Sequence, residues 1–162
     1  MASERAASLA EDFAAANTDA VVFAGTCTDA QWGANVPGEG WTVGVVLHHI
    51  AEGHAHGLEW VRSMASGEGV ADTAEGIDED NAAHAARAAA VSRGETIALL
   101  EENGRLLQEA LRRLSDEELD RHAPFGPAGG QPFPTEALAA VAARHVREHL
   151  GHARAAAEAN PG

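Results

Sequence analysis

Leu9, Phe13, Ala16, Ala20, Phe23 and Cys27 recur at alternating steps of four and three, which is one face of an amphipathic helix. The pattern predicts a first helix from about Ser3 to Cys27. Gly25 and the run Pro37-Gly38-Glu39-Gly40 then punctuate a connecting loop. Thr42 is placed to cap a second helix, which turns Val45, Val46, Ile50, Val61 and Met64 inward and ends near Ser66-Gly67. A polar, acidic loop follows over 69–76. Asp78 or Asp80 could cap an alanine-rich helix over 81–90, and a third strong helix spans 91–114 with Ile97, Leu100, Leu107, Leu111 and Leu114 as its core residues. Gly94 and Gly104 weaken that helix and suggest a kink near Gly94. Ser115-Asp116-Glu117-Glu118 reads as a capping signature for a short turn. A Gly/Pro loop covers 124–134, and Thr135 is placed to cap a last helix running to about Ala159. No strand-like alternation and no internal repeat are visible. Four long helices predict an all-α fold, a four-helix bundle with an extra short helix before the third main one, as one domain over 1–162.

Composition sharpens this picture. The chain of 162 residues carries 11 basic and 25 acidic side chains, a formal charge of −14, and every basic residue is Arg. Such a surface repels phosphate backbones and anionic lipid, so neither a nucleic acid nor a membrane is expected as a partner. Aromatic residues make up only 4% and Tyr is absent, which favours helix over sheet. The single Cys27 excludes an intramolecular disulfide and reads as a buried structural thiol. Glu4, Glu11 and Asp12 interrupt the apolar run that a signal peptide would need, and no stretch has the length of a membrane span. A cytoplasmic protein, with a homodimer among its assembly states, is the expectation.

Nine histidines are the unusual entry in this composition. At about 100° per residue, Leu138, Val141, Ala142, His145, His149, His152 and Ala156 share a narrow face of the last helix, while Arg144, Arg147, Glu148 and Arg154 lie off it. Imidazoles at inward positions cost a few kcal/mol each unless something satisfies them. A single such His is most simply hydrogen-bonded to a neighbouring helix or a buried water. Two at i and i+4 stack one turn apart, which suits two nitrogens on one metal ion. A third ligand has to come from a facing helix, and the second helix offers His48, His49, His54 and His56. Its periodicity puts His49, His56 and Trp60 near the edge of the apolar stripe. His48, His54 and His56 are expected to be solvated, as are His84 and His122, which have no partner at metal spacing.

The run GWTVGVVLHHIAEGH, in which Gly40, Trp41 and Thr42 lead into His49, resembles the second helix of the DinB-like proteins. Residues 91–100, VSRGETIALL, are similar to the third helix of that family, and RHVREHLGHAR resembles its last helix. The resemblance spans nearly the whole chain. It implies a bundle that holds one divalent metal through three histidines, and its spacing from Trp41 selects His49 over His48, with His145 and His149 completing the set. The family often carries Gln where this chain has His152. Some members transfer a low-molecular-weight thiol such as mycothiol or bacillithiol, one isomerises maleylpyruvate with mycothiol, and many have no assigned activity.

His145-Val146-Arg147-Glu148-His149 also fits the inverted zinc-protease signature, with Glu148 as base. Only thirteen residues follow His149, too few for the distant third ligand of such enzymes. Neutral imidazoles without thiolate suit Zn, Ni or Fe(II). The open metal position would lower the pKa of a thiol or water, making the nucleophile that attacks a small electrophile. Glu148 and His152 are the side chains that could add acid–base function, and Arg93, Arg144 or Arg147 could lie at the mouth. Trp41, Trp60 and the 125–133 loop could wall the pocket. Two non-catalytic alternatives are a metal-binding protein of stress response and a bundle whose His cluster is structural.

Overall fold

Four hydroxyl side chains start four helices. Ser3, Thr42, Thr73 and Ser92 each accept a hydrogen bond from a backbone N–H in the first turn of the helix that follows, an interaction worth about 1 kcal/mol apiece. The computed structural model describes residues 3–161; residues 1, 2 and 162 of the expected domain span lie outside it. In chain order the elements are α1 (Glu4–Thr26), α2 (Asp29–Trp32), β1 (Asn35–Val36), β2 (Trp41–Thr42), α3 (Val43–Ser66), α4 (Ala74–Arg87), α5 (Arg93–Arg112), α6 (Asp116–Asp120), β3 (His122–Phe125), β4 (Gln131–Pro134) and α7 (Thr135–Glu158).

The long helices α1, α3, α5 and α7 form a four-helix bundle. Helix α3 packs against α5 and α7, and α1 packs against the same two, so α1 and α3 face each other across the diagonal. Residues 27–42, with α2 and the β1–β2 hairpin, carry the chain across that diagonal. The arrangement sets α3 and α7, the two histidine-rich helices, side by side. The inward residues read from the sequence on α3 are all buried, as are Leu100, Leu107, Leu111 and Leu114 after the start of α5. Leu9 and Phe23 of α1 and Ile97 of α5 lie at the margin of the core, partly buried.

Several expectations need correction. Two short antiparallel hairpins replace the expected loops: β1–β2 pairs Asn35 with Thr42, and β3–β4 pairs His122 with Pro134 through Phe125 with Gln131. Strands of two to four residues, joined by turns rich in Gly and Pro, are too short for a period of two to emerge. Helix α4 begins at Ala74 under a Thr73 cap, seven residues before the predicted start, and ends at Arg87. Gly94 sits in the first turn of α5, which begins at Arg93 rather than Val91, and does not interrupt it. Thr135 is inside α7, capping nothing; its N–H and hydroxyl both donate to the Arg121 carbonyl. The capping box at Ser115 and Glu118 is formed as read.

One buried polar lock joins three helices. Asn17 of α1 donates through Nδ2 to the Leu100 carbonyl of α5 at 2.9 Å, and its Oδ1 accepts from His54 Nε2 of α3 at 2.7 Å. Gly104 makes room for it: a Cβ there would overlap the Asn17 amide. Gly104→Ala should therefore destabilise the fold by about 1–3 kcal/mol through loss of this lock, although alanine is the better helix former by about 1 kcal/mol. Gly151 of α7 meets nothing within 4 Å of such a Cβ, so Gly151→Ala should stabilise by up to about 1 kcal/mol. Urea unfolding of the two variants should shift in opposite directions; a gain in Gly104→Ala would show that Asn17 moves aside freely.

Candidate metal centre

Residues that cap and turn the chain before α3 also build the site. Thr42 starts the helix, which carries His49 two turns further on. In the β1–β2 hairpin Gly38 and Gly40 adopt positive φ of 85° and 71°, a backbone that glycine takes without steric cost. Between them Glu39 turns inward, its side chain only 10% exposed. Its carboxylate accepts from His149 Nδ1 at 3.0 Å and from His152 Nδ1 at 2.6 Å.

His49, His145 and His149 come together between α3 and α7, each offering one ring nitrogen within 4.8 Å of the others. His49 Nε2 and His145 Nε2 are 3.2 Å apart, close to the roughly 3.3 Å between two nitrogens sharing one tetrahedral ion. With Nδ1 committed to Glu39, His149 keeps Nε2 for the cluster, the carboxylate–histidine arrangement that orients metal-bound imidazoles. Gly53, one turn after His49, leaves space for His145, whose Cε1 would lie 2.8 Å from a Cβ at that position. Trp41 packs its ring against His49, centroids 4.8 Å apart. Burial, followed by the neighbouring imidazoles, pushes His49 down to about 3. Burial and the nearby His149 push His145 down to about 4. Both rings stay neutral at physiological pH, the form a metal requires. Donor type, spacing and protonation state all fit one divalent ion.

The triad borders a cavity of about 780 Å³. Trp41, Trp60, Ile77, Leu107, Leu138 and Val141 give it apolar walls, and Glu39, Glu59, Asp72 and Asp80 add carboxylates; no Arg is among its lining residues. Arg147 instead pairs with Asp12, Arg93 pairs with Asp29 over the Trp32 ring, and Arg144 points outward. Phe125 and Phe133 do not line the cavity. They stack on each other at 5.0 Å and support Trp60 from behind.

Of the face read from the sequence, Leu138 and Ala156 are buried with Ala139, Ala143, Val146, Leu150, Ala153 and Ala157, while His145 and His149 occupy the adjoining flank and are half-buried. His152 is further out, and Glu148 is exposed away from the cavity. His56 and His122 are exposed as expected. His54 is not solvated but buried in the Asn17 lock, His84 is 2% exposed, and His48 is largely covered. Helical wheels missed these because the groups that cover them are distant in sequence: Phe13 and Asn17 of α1 for His54, His84 of α4 for His48, and Glu52 and Trp41 for His84. Glu39 was also missed, although its signal is a carboxylate inside a Pro-Gly-x-Gly turn directly before the Trp-Thr helix start.

The sequence matches the family model described as DinB superfamily over residues 12–153. Among solved structures, the fold is similar to that of YfiT from Bacillus subtilis, described as a probable metal-dependent hydrolase with an unusual four-helix bundle topology. The TM-score is 0.80 at 19% identity, over 98% of this chain and 89% of that one. No curated protein matches the chain.

Two outcomes are expected. Gly53→Ala, which crowds His145, and Glu39→Ala, which frees His149, should each weaken zinc binding at the triad by about 10–100-fold, read by calorimetric titration; unchanged affinity would remove both residues from the site. The second concerns pH in metal-free protein. Unfolded histidines take up protons near 6.5, whereas folded His49, His54 and His145 resist to about 3, 3 and 4. Below about pH 6.5 the unfolded chain therefore binds more protons, and stability must fall with pH until the folded rings protonate too. Above about pH 5 most carboxylates are ionised in both states, so the slope there belongs to these rings and to His48, which burial also pushes down. Urea unfolding in chelator from pH 7.5 downward should show it; a flat profile to pH 5 would contradict the burial of these rings.

Proposed function

We propose that this chain, which belongs to the DinB superfamily, holds one divalent metal (Zn, Ni or Fe) through His49, His145 and His149 and conjugates a low-molecular-weight thiol of the mycothiol type to a small electrophile. The observation that carries this reading is the placement of the three-imidazole cluster in the wall of a mostly apolar cavity large enough for two small reactants. When bound, a divalent ion supplies Lewis acidity that lowers the pKa of a thiol or water it ligates. The chain supplies the rest. Burial keeps His49 and His145 unprotonated as donors, Glu39 holds His149 in one tautomer, and the apolar wall limits water around the electrophile. His152 stands half-exposed on the same carboxylate, which suits it to pass the thiol proton to solvent.

The lining carboxylates disfavour anionic reactants, so the reading favours a thiol and an electrophile, such as an epoxide, quinone or halide, without net negative charge. Hydrolysis is the second reading. The similarity to YfiT, itself described as a probable metal-dependent hydrolase, favours it, and it differs only in water taking the place of the thiol.

The expected result is thioether formation by zinc-, nickel- or iron-loaded protein with mycothiol, detected by mass spectrometry across a panel of electrophiles; isomerisation of maleylpyruvate, which leaves the mass unchanged, is followed separately by chromatography. His149→Ala should lower the rate by at least about 100-fold. Products formed equally without thiol would establish the hydrolytic reading. If no reaction outpaces that variant, the metal-binding role without catalysis replaces both.

A further inference from the structure

A second group of ligating side chains converges beside the triad. His48 and Glu52 lie one turn apart on α3, and His84 reaches them from α4; each offers one donor atom within 4.8 Å of the others. We propose that His48, Glu52 and His84 form a second divalent-cation site that clamps α4 to the bundle. This inference does not rest on the thiol-transfer reading.

Glu52 is central to it. His84 Nδ1 is 2.9 Å from one of its oxygens and His48 Nδ1 is 3.9 Å from the other. Donors bound to one tetrahedral zinc at about 2.0–2.1 Å stand roughly 3.3 Å apart, a value between these two, so closure on an ion takes only small side-chain movements. Two imidazoles and one carboxylate are a donor set taken by zinc and by Fe(II). The two imidazole rings stack 5.2 Å apart at 28°.

One buried atom points the same way. His48 Nδ1 is buried and has no hydrogen-bond partner. Buried polar atoms are rarely left unpaired, and a cation would take up the His48 lone pair; the unpartnered Nε2 of His84 faces away from Glu52 and is no part of this site. Burial of His84 itself also needs a reason. It is the buried residue of α4, an otherwise polar, alanine-rich helix whose Ile77, Asp80 and Asn81 form one wall of the cavity. An ion bridging His84 to α3 would hold that wall in place. Trp41 packs against both His49 and His84, at 4.8 and 5.6 Å, and those two imidazoles are themselves 5.5 Å apart edge to face, so the two clusters are direct neighbours beside one indole. Glu52 is 38% exposed, which gives an ion a way in. One group opposes binding: Arg87, whose Nη1 bonds Asp80, holds its Nη2 3.9 Å from Glu52 and competes with a cation for the carboxylate.

The test is calorimetric titration of zinc into the full, untagged chain, with elemental analysis after gel filtration. Four proteins are compared: the parent, Glu52→Gln, the pair His145→Ala/His149→Ala, and all three changes together. The parent should bind two ions per chain, Glu52→Gln and the double variant one each, and the triple variant none. Arg87→Ala in the double variant should tighten zinc binding, by about tenfold. Circular dichroism checks folding. Should the double variant not fold, the loss of one equivalent between the parent and Glu52→Gln, with slower hydrogen exchange in α4 on zinc addition to the parent but not to Glu52→Gln, decides the matter. The proposal is overturned if a folded double variant takes up no zinc, or if Glu52→Gln leaves zinc stoichiometry unchanged. Because Glu52→Gln reports the triad alone, failure of one site leaves the equivalent of the other in view.

Discussion

An imidazole can leave water for the space between two helices only if its nitrogens find partners there, and that requirement shapes this molecule around α3 and α7. His49 and His145 meet at 3.2 Å, and burial holds both neutral. His149 has a partner only because the β1–β2 hairpin folds Glu39 under the end of the bundle. That hairpin needs glycine on both sides of Glu39, and the close approach of α3 to His145 needs Gly53. Each of these residues serves the imidazoles, and the core stripe of α7, built mostly of alanine, lies beside them without taking part.

The same rule operates deeper in the bundle with a different result. His54 also loses its water, but its Nε2–H finds Asn17, and Asn17 in turn finds the Leu100 carbonyl. This histidine is a strut between α1, α3 and α5. Where a buried imidazole is bonded across helices in this way, it is structural. Where several imidazoles face one another across a cavity wall with lone pairs to spare, the arrangement is one that a metal completes. His84, with one nitrogen on Glu52 and the other unpartnered, belongs with the second group.

Charge narrows the chemistry further. Exposed arginines are tied up on the outside, as Arg147 is with Asp12 and Arg105 with Glu102 and Glu109, and none reaches the cavity. A site of neutral imidazoles with carboxylates around it attracts cations and repels anions. This favours metal uptake and uncharged reactants together.

Local rules determined much of this protein from its sequence. The periodicity of α1, α3, α5 and α7, the Thr42 cap and the Ser115–Glu118 capping box depend on residues within one or two turns of each other, and all appear as read. The His145–His149 pair was legible for the same reason, since i and i+4 always share a face. Tertiary structure alone decided which histidines are covered. His48, His54 and His84 look solvated on a wheel, yet His84 stacks on His48, Phe13 and Asn17 of α1 close over His54, and Trp41 and Glu52 close over His84; a wheel knows only its own helix. The exact face of α7 was likewise set by tertiary packing, because α1 and α3 both press on it and together decide which residues are covered. Glu39 reaches His149 across 110 residues of chain. That contact exists because the bundle places α3 and α7 side by side, and no spacing along the sequence encodes it.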